Sequence, residues 1–120
     1  MDIFLTDREA EVMQLLWEHG PARVSEVRAR LPDPLAYTTV LTILRTLEAK
    51  GFVGHKEERR AHRFFASAQQ QAARKSALQH LTGKLFKGSS ELVLTCLLSD
   101  RKLSAEQLRR IRKLLAAKRD

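Results

Sequence analysis

Cysteine is all but missing. The chain has one, Cys96, in 120 residues. A lone thiol closes no disulfide within the chain, so no cross-linked framework stands in for a core, and the composition fits a reducing compartment. Long apolar runs are missing too. The longest, "ELVLTCLLS" at 91–99, is far shorter than the roughly 20 residues a membrane helix needs. The start, "MDIFLTDREAEVMQLLWEHG", places an acid where a secretory leader carries bases, which argues against a signal peptide. A cytoplasmic protein without stable membrane association is expected.

Catalytic motifs are equally scarce. There is no phosphate-binding glycine loop, hydrolase elbow or kinase-type signature, and scattered Ser, His and Asp make no triad. No catalytic residue is assigned, and an enzyme is not expected. The histidines, His19, His55, His62 and His80, are not spaced with other ligands in any zinc pattern. Neither metal nor cofactor is expected.

What is present is apolar residue enough for a core, at 43%, and a net charge of +8. Such an excess favours polyanions, either nucleic acid or an acidic membrane surface. Its distribution is uneven. Residues 1–36 carry −3, residues 37–66 carry +3 and residues 67–120 carry +8.

Thr6 with Glu9 three residues on reads as a capping box. Val12, Met13, Leu16 and Trp17 follow at helical spacing until Gly20-Pro21 stops the helix. "ARVSEVRARL" reads as a short second helix, broken by Pro32 and Pro34. "AYTTVLTILRTLEAKGFV", residues 36–53, is a third. At about 100° per residue, Val40, Ile43, Leu44 and Leu47 share an inward face. Opposite them lie Thr38, Thr42, Arg45 and Ala49, with Thr39 and Thr46 on the shoulder. Threonine is a mediocre helix former, and a helix meeting only water usually shows Glu, Lys and Gln there. Gly51 supplies a left-handed cap. The period then changes to two, so "FVGHKE" and "AHRFFA" read as strands joined around Glu58, Arg59 and Arg60. Residues 67–86 are helical again, with Ser67 as a cap. "SSELVLTCLLS" is apolar nearly all round, so it is either fully buried or shared between two chains. Within it Cys96 reads as a small hydrophobe. Ser104 and Gln107 box a last helix with a basic outer face.

Three short helices and a hairpin make a mainly α fold, a winged helix-turn-helix, over residues 1–67, followed by a helical dimerisation region over 68–120. In such folds the second helix of the motif enters the major groove. A threonine there offers a methyl to a thymine methyl, or a hydroxyl to a base edge or phosphate. Arg45 is long enough for a guanine edge or the backbone. Arg59 and Arg60 at the hairpin tip would reach phosphates or the neighbouring minor groove.

At these residues the chain resembles the penicillinase-repressor family of winged-helix transcriptional regulators. The likeness runs through "LTDREAEVMQLLWEHGPARVSEVRARL" and "LAYTTVLTILRTLEAKGFVGHKEERRAHRFFA", and more weakly through "GKLFKGSSELVLTCLLSDRKLSAEQLRRIRKLL". It implies a homodimeric repressor on a two-fold-symmetric promoter operator with TACA/TGTA-like half-sites, serving resistance or stress genes. By the same resemblance the DNA-binding positions are Thr38, Thr39, Thr42, Arg45 and Thr46, with Arg59, Arg60 and His62 in the wing. The apolar helix and the last helix would interlock with the partner subunit. In β-lactam-responsive members a membrane sensor protease system relieves repression by cutting an Asn-Phe bond after a Leu. The nearest match here, Leu94-Thr95-Cys96, keeps neither side of that bond, so Thr95 and Cys96 mark only a candidate cleavage position. The cysteine cluster of copper-responsive relatives does not occur, which excludes metal sensing by that route. The alternative reading is a winged-helix interaction module that binds an acidic partner without sequence-specific DNA readout.

Overall fold

The computed structural model describes residues 5–100 and 102–118; the first four residues, on which the leader argument partly rests, lie outside it. The chain divides into two compact units between His80 and Leu81. The first holds α1 (Asp7–His19), β1 (Ala22–Arg23), α2 (Val24–Arg30), α3 (Tyr37–Ala49), β2 (Val53–Glu58), β3 (Ala61–Ala66) and most of α4 (Gln70–Leu85).

Local chemistry sets the helix ends. Thr6 Oγ1 accepts from the Glu9 N–H at 3.2 Å, and Glu9 Oε1 accepts from the Thr6 N–H at 2.8 Å, closing the expected box. Gly20, at φ 83°, ends α1 with its N–H on the Leu16 carbonyl. Gly51, at φ 87°, turns the chain after α3, and the Phe52 N–H reaches the Leu47 carbonyl at 3.0 Å. Both positions require the left-handed region that glycine enters without a steric penalty.

The winged helix-turn-helix is present, with one strand the periodicity did not predict. The second helix begins at Val24 rather than Ala22, because Ala22 and Arg23 pair with Phe64 and Arg63. The resulting sheet is antiparallel in the order β1-β3-β2. Ser67 caps nothing. Its hydroxyl donates to the Gly51 carbonyl at 3.0 Å and its N–H to the Phe52 carbonyl at 2.9 Å, so α4 starts three residues later. Trp17 Nε1 donates to the Ala68 carbonyl at 2.8 Å and ties α1 to the same connection.

The core joins Val12, Met13 and Leu16 of α1, Val24 and Val27 of α2, and Val40, Leu44 and Leu47 of α3 with Phe52, Phe64 and Ala73. Ile43, expected on the inward face, is only partly buried at its margin. One ion pair enters this packing: Lys50 Nζ donates to Glu9 Oε1 at 2.8 Å, linking the end of α3 to α1.

The second unit holds the end of α4, then α5 (Ser90–Asp100) and α6 (Ala105–Ala117). Gly88, at φ 77°, ends α4 with its N–H on the Thr82 carbonyl, and Ser104 with Gln107 forms the second capping box. The chain does not bury α5. Leu92, Leu94, Leu97 and Leu98 are 47–53% exposed, and Cys96 is exposed beside them. Of the two expectations for this helix, burial within one chain is therefore not met. Among the described residues no helix is long and apolar enough to cross a membrane.

Candidate nucleic-acid interface

The inward stripe of Val40, Leu44 and Leu47 orients α3, since a helix turns about 100° per residue and one face excludes the other. Thr38, Thr39, Thr42, Arg45, Thr46 and Ala49 are all exposed as a result, with Tyr37 half exposed at the helix start. The five expected positions on α3 thus share one solvent face. No acidic residue occupies the first turn, and the N-cap Ala36 supplies no side-chain bond. The positive end of the helix dipole is thus left uncompensated, which favours an approaching anion.

The threonines differ in a way their spacing does not show. Thr42 Oγ1 donates to the Thr38 carbonyl and Thr46 Oγ1 to the Thr42 carbonyl, each at 2.9 Å. Among the described residues the Thr38 and Thr39 hydroxyls make no hydrogen bond.

Arg59 and Arg60 form the hairpin tip by themselves, between Glu58 and its partner Ala61. Their φ angles are 48° and 67°, so both sit in the left-handed region of a two-residue turn that Asn-Gly fills best. Two bulky side chains there cost about 1–2 kcal/mol each. Among the described residues neither guanidinium has an ion pair or hydrogen bond, and the same is true of Arg45. Local strain that places two unpaired cations on a protruding tip points to a task outside the fold.

His62 is in the same hairpin, on β3, two residues beyond Arg60. It pairs across the hairpin with Glu57 and stacks on His55 with ring centroids 4.6 Å apart. His55 Nδ1 in turn bonds Glu48 of α3. His62 thus lies in the hairpin as expected, and through His55 its ring is linked to Glu48 of α3.

Strand register also assembles a feature that sequence reading missed. Arg23 pairs with Arg63, and Arg63 with Lys56, setting three cations in a row across the sheet. Arg63 Nε lies 3.2 Å from Glu58 Oε2 without being aligned to donate to it, and the buried Arg23 Nε donates to nothing among the described residues. Glu26 lies close by. The Arg23 backbone N–H, helped by the charges of Arg30, Arg63 and Arg23, outweighs its burial and holds its carboxyl below the usual range. Phe65 covers the same face because Gly54 opposite has no side chain: a Cβ there would meet the ring at 2.6 Å. Basic residues at alternate strand positions are visible in sequence, but their alignment depends on register.

Thr95 and Cys96 sit within α5, where Thr95 Oγ1 donates to the Glu91 carbonyl at 2.8 Å. Among the described residues no group of His, Cys, Asp and Glu is arranged to hold a metal.

A model of the family described as penicillinase repressor matches residues 5–117. No curated protein matches the chain. Among solved structures, a probable transcriptional regulator from Pseudomonas aeruginosa is similar, with TM-score 0.52 and 18% identity, over 94% of this chain and 77% of the other. A MarR family transcription regulator gives 0.51 and 20%, over 98% and 78%. A transcriptional regulator from Thermotoga maritima gives 0.50 and 18%, over 96% and 79%. At these identities the likeness concerns the fold.

Proposed function

The chain belongs to the penicillinase repressor family, and from that premise we propose that it represses transcription as a homodimer seated on a two-fold-symmetric promoter operator. That it is a DNA-binding transcription regulator rather than an enzyme follows from the family; the operator, the dimer and the contacts are our reading. One observation carries it. A single exposed face of α3 holds four threonines and an unpaired arginine, and the tip beside it holds two more unpaired arginines. α3 would lie in the major groove, Arg45 on a base edge, and Arg59 and Arg60 on phosphates. Residues 1–67 form the reading module and 68–120 the pairing region in this proposal, and the regulator would work in the cytoplasm.

The test is fluorescence anisotropy on a TACA/TGTA palindrome and a scrambled duplex at two salt concentrations. A preference of about a thousandfold is expected. Equal, salt-sensitive binding to both duplexes would remove this operator and favour the interaction-module alternative. Arg45→Ala should lose about tenfold to a hundredfold on the palindrome, the range of one base-reading pair, and little on the scrambled duplex. A uniform loss would move Arg45 to the backbone.

The wing makes the opposite prediction. Exchanging Arg59-Arg60 for Asn-Gly should stabilise the protein by about 2–4 kcal/mol, since both left-handed positions of the turn are relaxed. Affinity should fall by the same factor on both duplexes, with a salt slope shallower by about two per subunit. Urea unfolding and a salt titration read the two effects, and an unchanged slope would take the tip off the phosphates.

Relief by proteolysis at Thr95-Cys96 forms the last part of the proposal. Both residues are in regular helix, so a protease would first have to unwind α5. Incubation with an activated sensor protease of the family that leaves the chain intact would dispose of it.

A further inference from the structure

Threonine on a recognition helix can act through its hydroxyl or through its methyl, and hydrogen bonding within α3 separates the two. The hydroxyl protons of Thr42 and Thr46 are used on the carbonyls four residues back, at 2.9 Å each. Thr95 on α5 makes the same bond to the Glu91 carbonyl. An exposed helical threonine can thus make this bond unaided, and a hydroxyl recruited to donate to a base or phosphate must first give it up. Phosphate oxygens only accept, so a threonine whose proton is committed has nothing to donate to them. Thr42 and Thr46 are exposed, and each carries a methyl beside its committed hydroxyl. Thr38 is different: the residue four before it, Pro34, precedes the helix. Neither Thr38 nor Thr39 spends its hydroxyl among the described residues.

We infer that Thr42 and Thr46 read thymine by packing their methyls on its C5-methyl, while Thr38 and Thr39 donate to phosphate. The inference rests on the proposal that α3 enters the major groove and adds which chemical group is recognised there. Geometry agrees. Residues four apart on a helix are separated by about 6 Å along its axis, close to two base-pair steps of about 3.4 Å. The two methyls therefore fall at the spacing of alternate bases. The major groove is also where thymine shows its methyl, and no other base carries one.

Full-length protein is first used to select duplexes from a random library, which supplies the probe without assuming an operator. The best duplex is then made twice, with thymine and with deoxyuridine throughout, which removes the methyl groups and nothing else. Wild type should bind the uracil duplex at least tenfold more weakly, since burying one methyl changes affinity about fourfold and several are lost. The Thr42→Val/Thr46→Val variant keeps the methyls and loses the hydroxyls. It should bind the thymine duplex within about twofold of wild type and remain sensitive to uracil. The Thr42→Ser/Thr46→Ser variant keeps the hydroxyls and loses the methyls; it should bind about tenfold more weakly and no longer distinguish the two duplexes. Both substituted positions are exposed, so the variants should fold, and Trp17 fluorescence reports that the first unit has done so. Equal wild-type binding to thymine and uracil duplexes, or a serine variant that binds as wild type while the valine variant fails, would overturn methyl readout. Selection that enriches no duplex would instead overturn the operator reading itself.

Discussion

Exchanging Leu94 and Leu97 together for lysine is expected to turn a dimer into a monomer and to lower operator affinity about a thousandfold. The prediction starts from a conflict between composition and burial. α5 is the most apolar segment of the chain, yet Leu92, Leu94, Leu97 and Leu98 are each about half exposed, and Leu114 and Leu115 of α6 are 69% and 58% exposed. Soluble monomers rarely leave so many large apolar side chains open on two neighbouring elements of the chain. A second copy would cover it, as the dimer proposal requires, and would double the number of base pairs read. Losing it removes one of two linked binding events, an effect on the order of a hundredfold to ten-thousandfold. Because the two leucines are exposed in the single chain, lysine there should leave the fold of each subunit intact. Trp17 is the only tryptophan and its indole N–H bonds Ala68 in the first unit, so its emission reports winged-helix integrity separately from assembly. Sedimentation at matched concentrations supplies the mass. A variant that stays dimeric, or a wild type that is monomeric and still prefers its operator, would defeat the dimer reading.

Much of this was legible in the sequence because the information is local. The inward stripe of α3 follows from a period, the box at Thr6 and Glu9 from a spacing of three, and the stops at Gly20 and Gly51 from one residue type each. What escaped depends on contacts between distant parts of the chain. β1 has two residues, too few for any alternation, and exists because Phe64 and Arg63 stand opposite them. Ser67 has the right residue type for a cap, but the Gly51 carbonyl claims its hydroxyl. The candidate site shows the same division. Which face of α3 is outward was readable, whereas the row of Arg23, Arg63 and Lys56, the stacking of His62 on His55, and the committed hydroxyls of Thr42 and Thr46 emerge only from folded geometry. The apolar helix α5 marks a third case. Its sequence fitted burial within one chain or sharing between two, and only the folded chain, with Leu92, Leu94, Leu97 and Leu98 about half exposed, sets the first aside.

Glu9→Ala should destabilise the first unit by about 3 kcal/mol, or roughly 10–20 °C in Tm. Glu9 is 5% exposed and accepts from both Lys50 Nζ and the Thr6 N–H. Its removal takes the carboxylate from beside Lys50 and one acceptor from the first turn of α1. Breaking a buried pair typically costs 3–5 kcal/mol; the low end applies because Lys50 is 25% exposed and can turn toward water. Acid supplies an independent readout. Burial alone would push the Glu9 carboxyl up, but the hydrogen bonds from Lys50 and Thr6 and the Lys50 charge outweigh it and hold it below its ordinary value of 4.5. A carboxyl depressed in the folded state stabilises above its unfolded value and loses that contribution as pH falls through the folded one. Stability should therefore decline with acid below about pH 4.5, and part of that decline should vanish in Glu9→Gln, which still accepts from Thr6 but has no charge to lose. Denaturant titrations of wild type and Glu9→Gln between pH 3 and 7 make the comparison. Equal acid sensitivity in the two proteins would mean that other carboxylates govern the acid limb and that Glu9 acts through its cap alone. The pair joins α1 to the residue that ends α3, so an acid-weakened link should also loosen the helix that carries Arg45. Operator affinity falling in parallel with stability in wild type, but not in Glu9→Gln, would tie the angle of the recognition helix to this one buried contact.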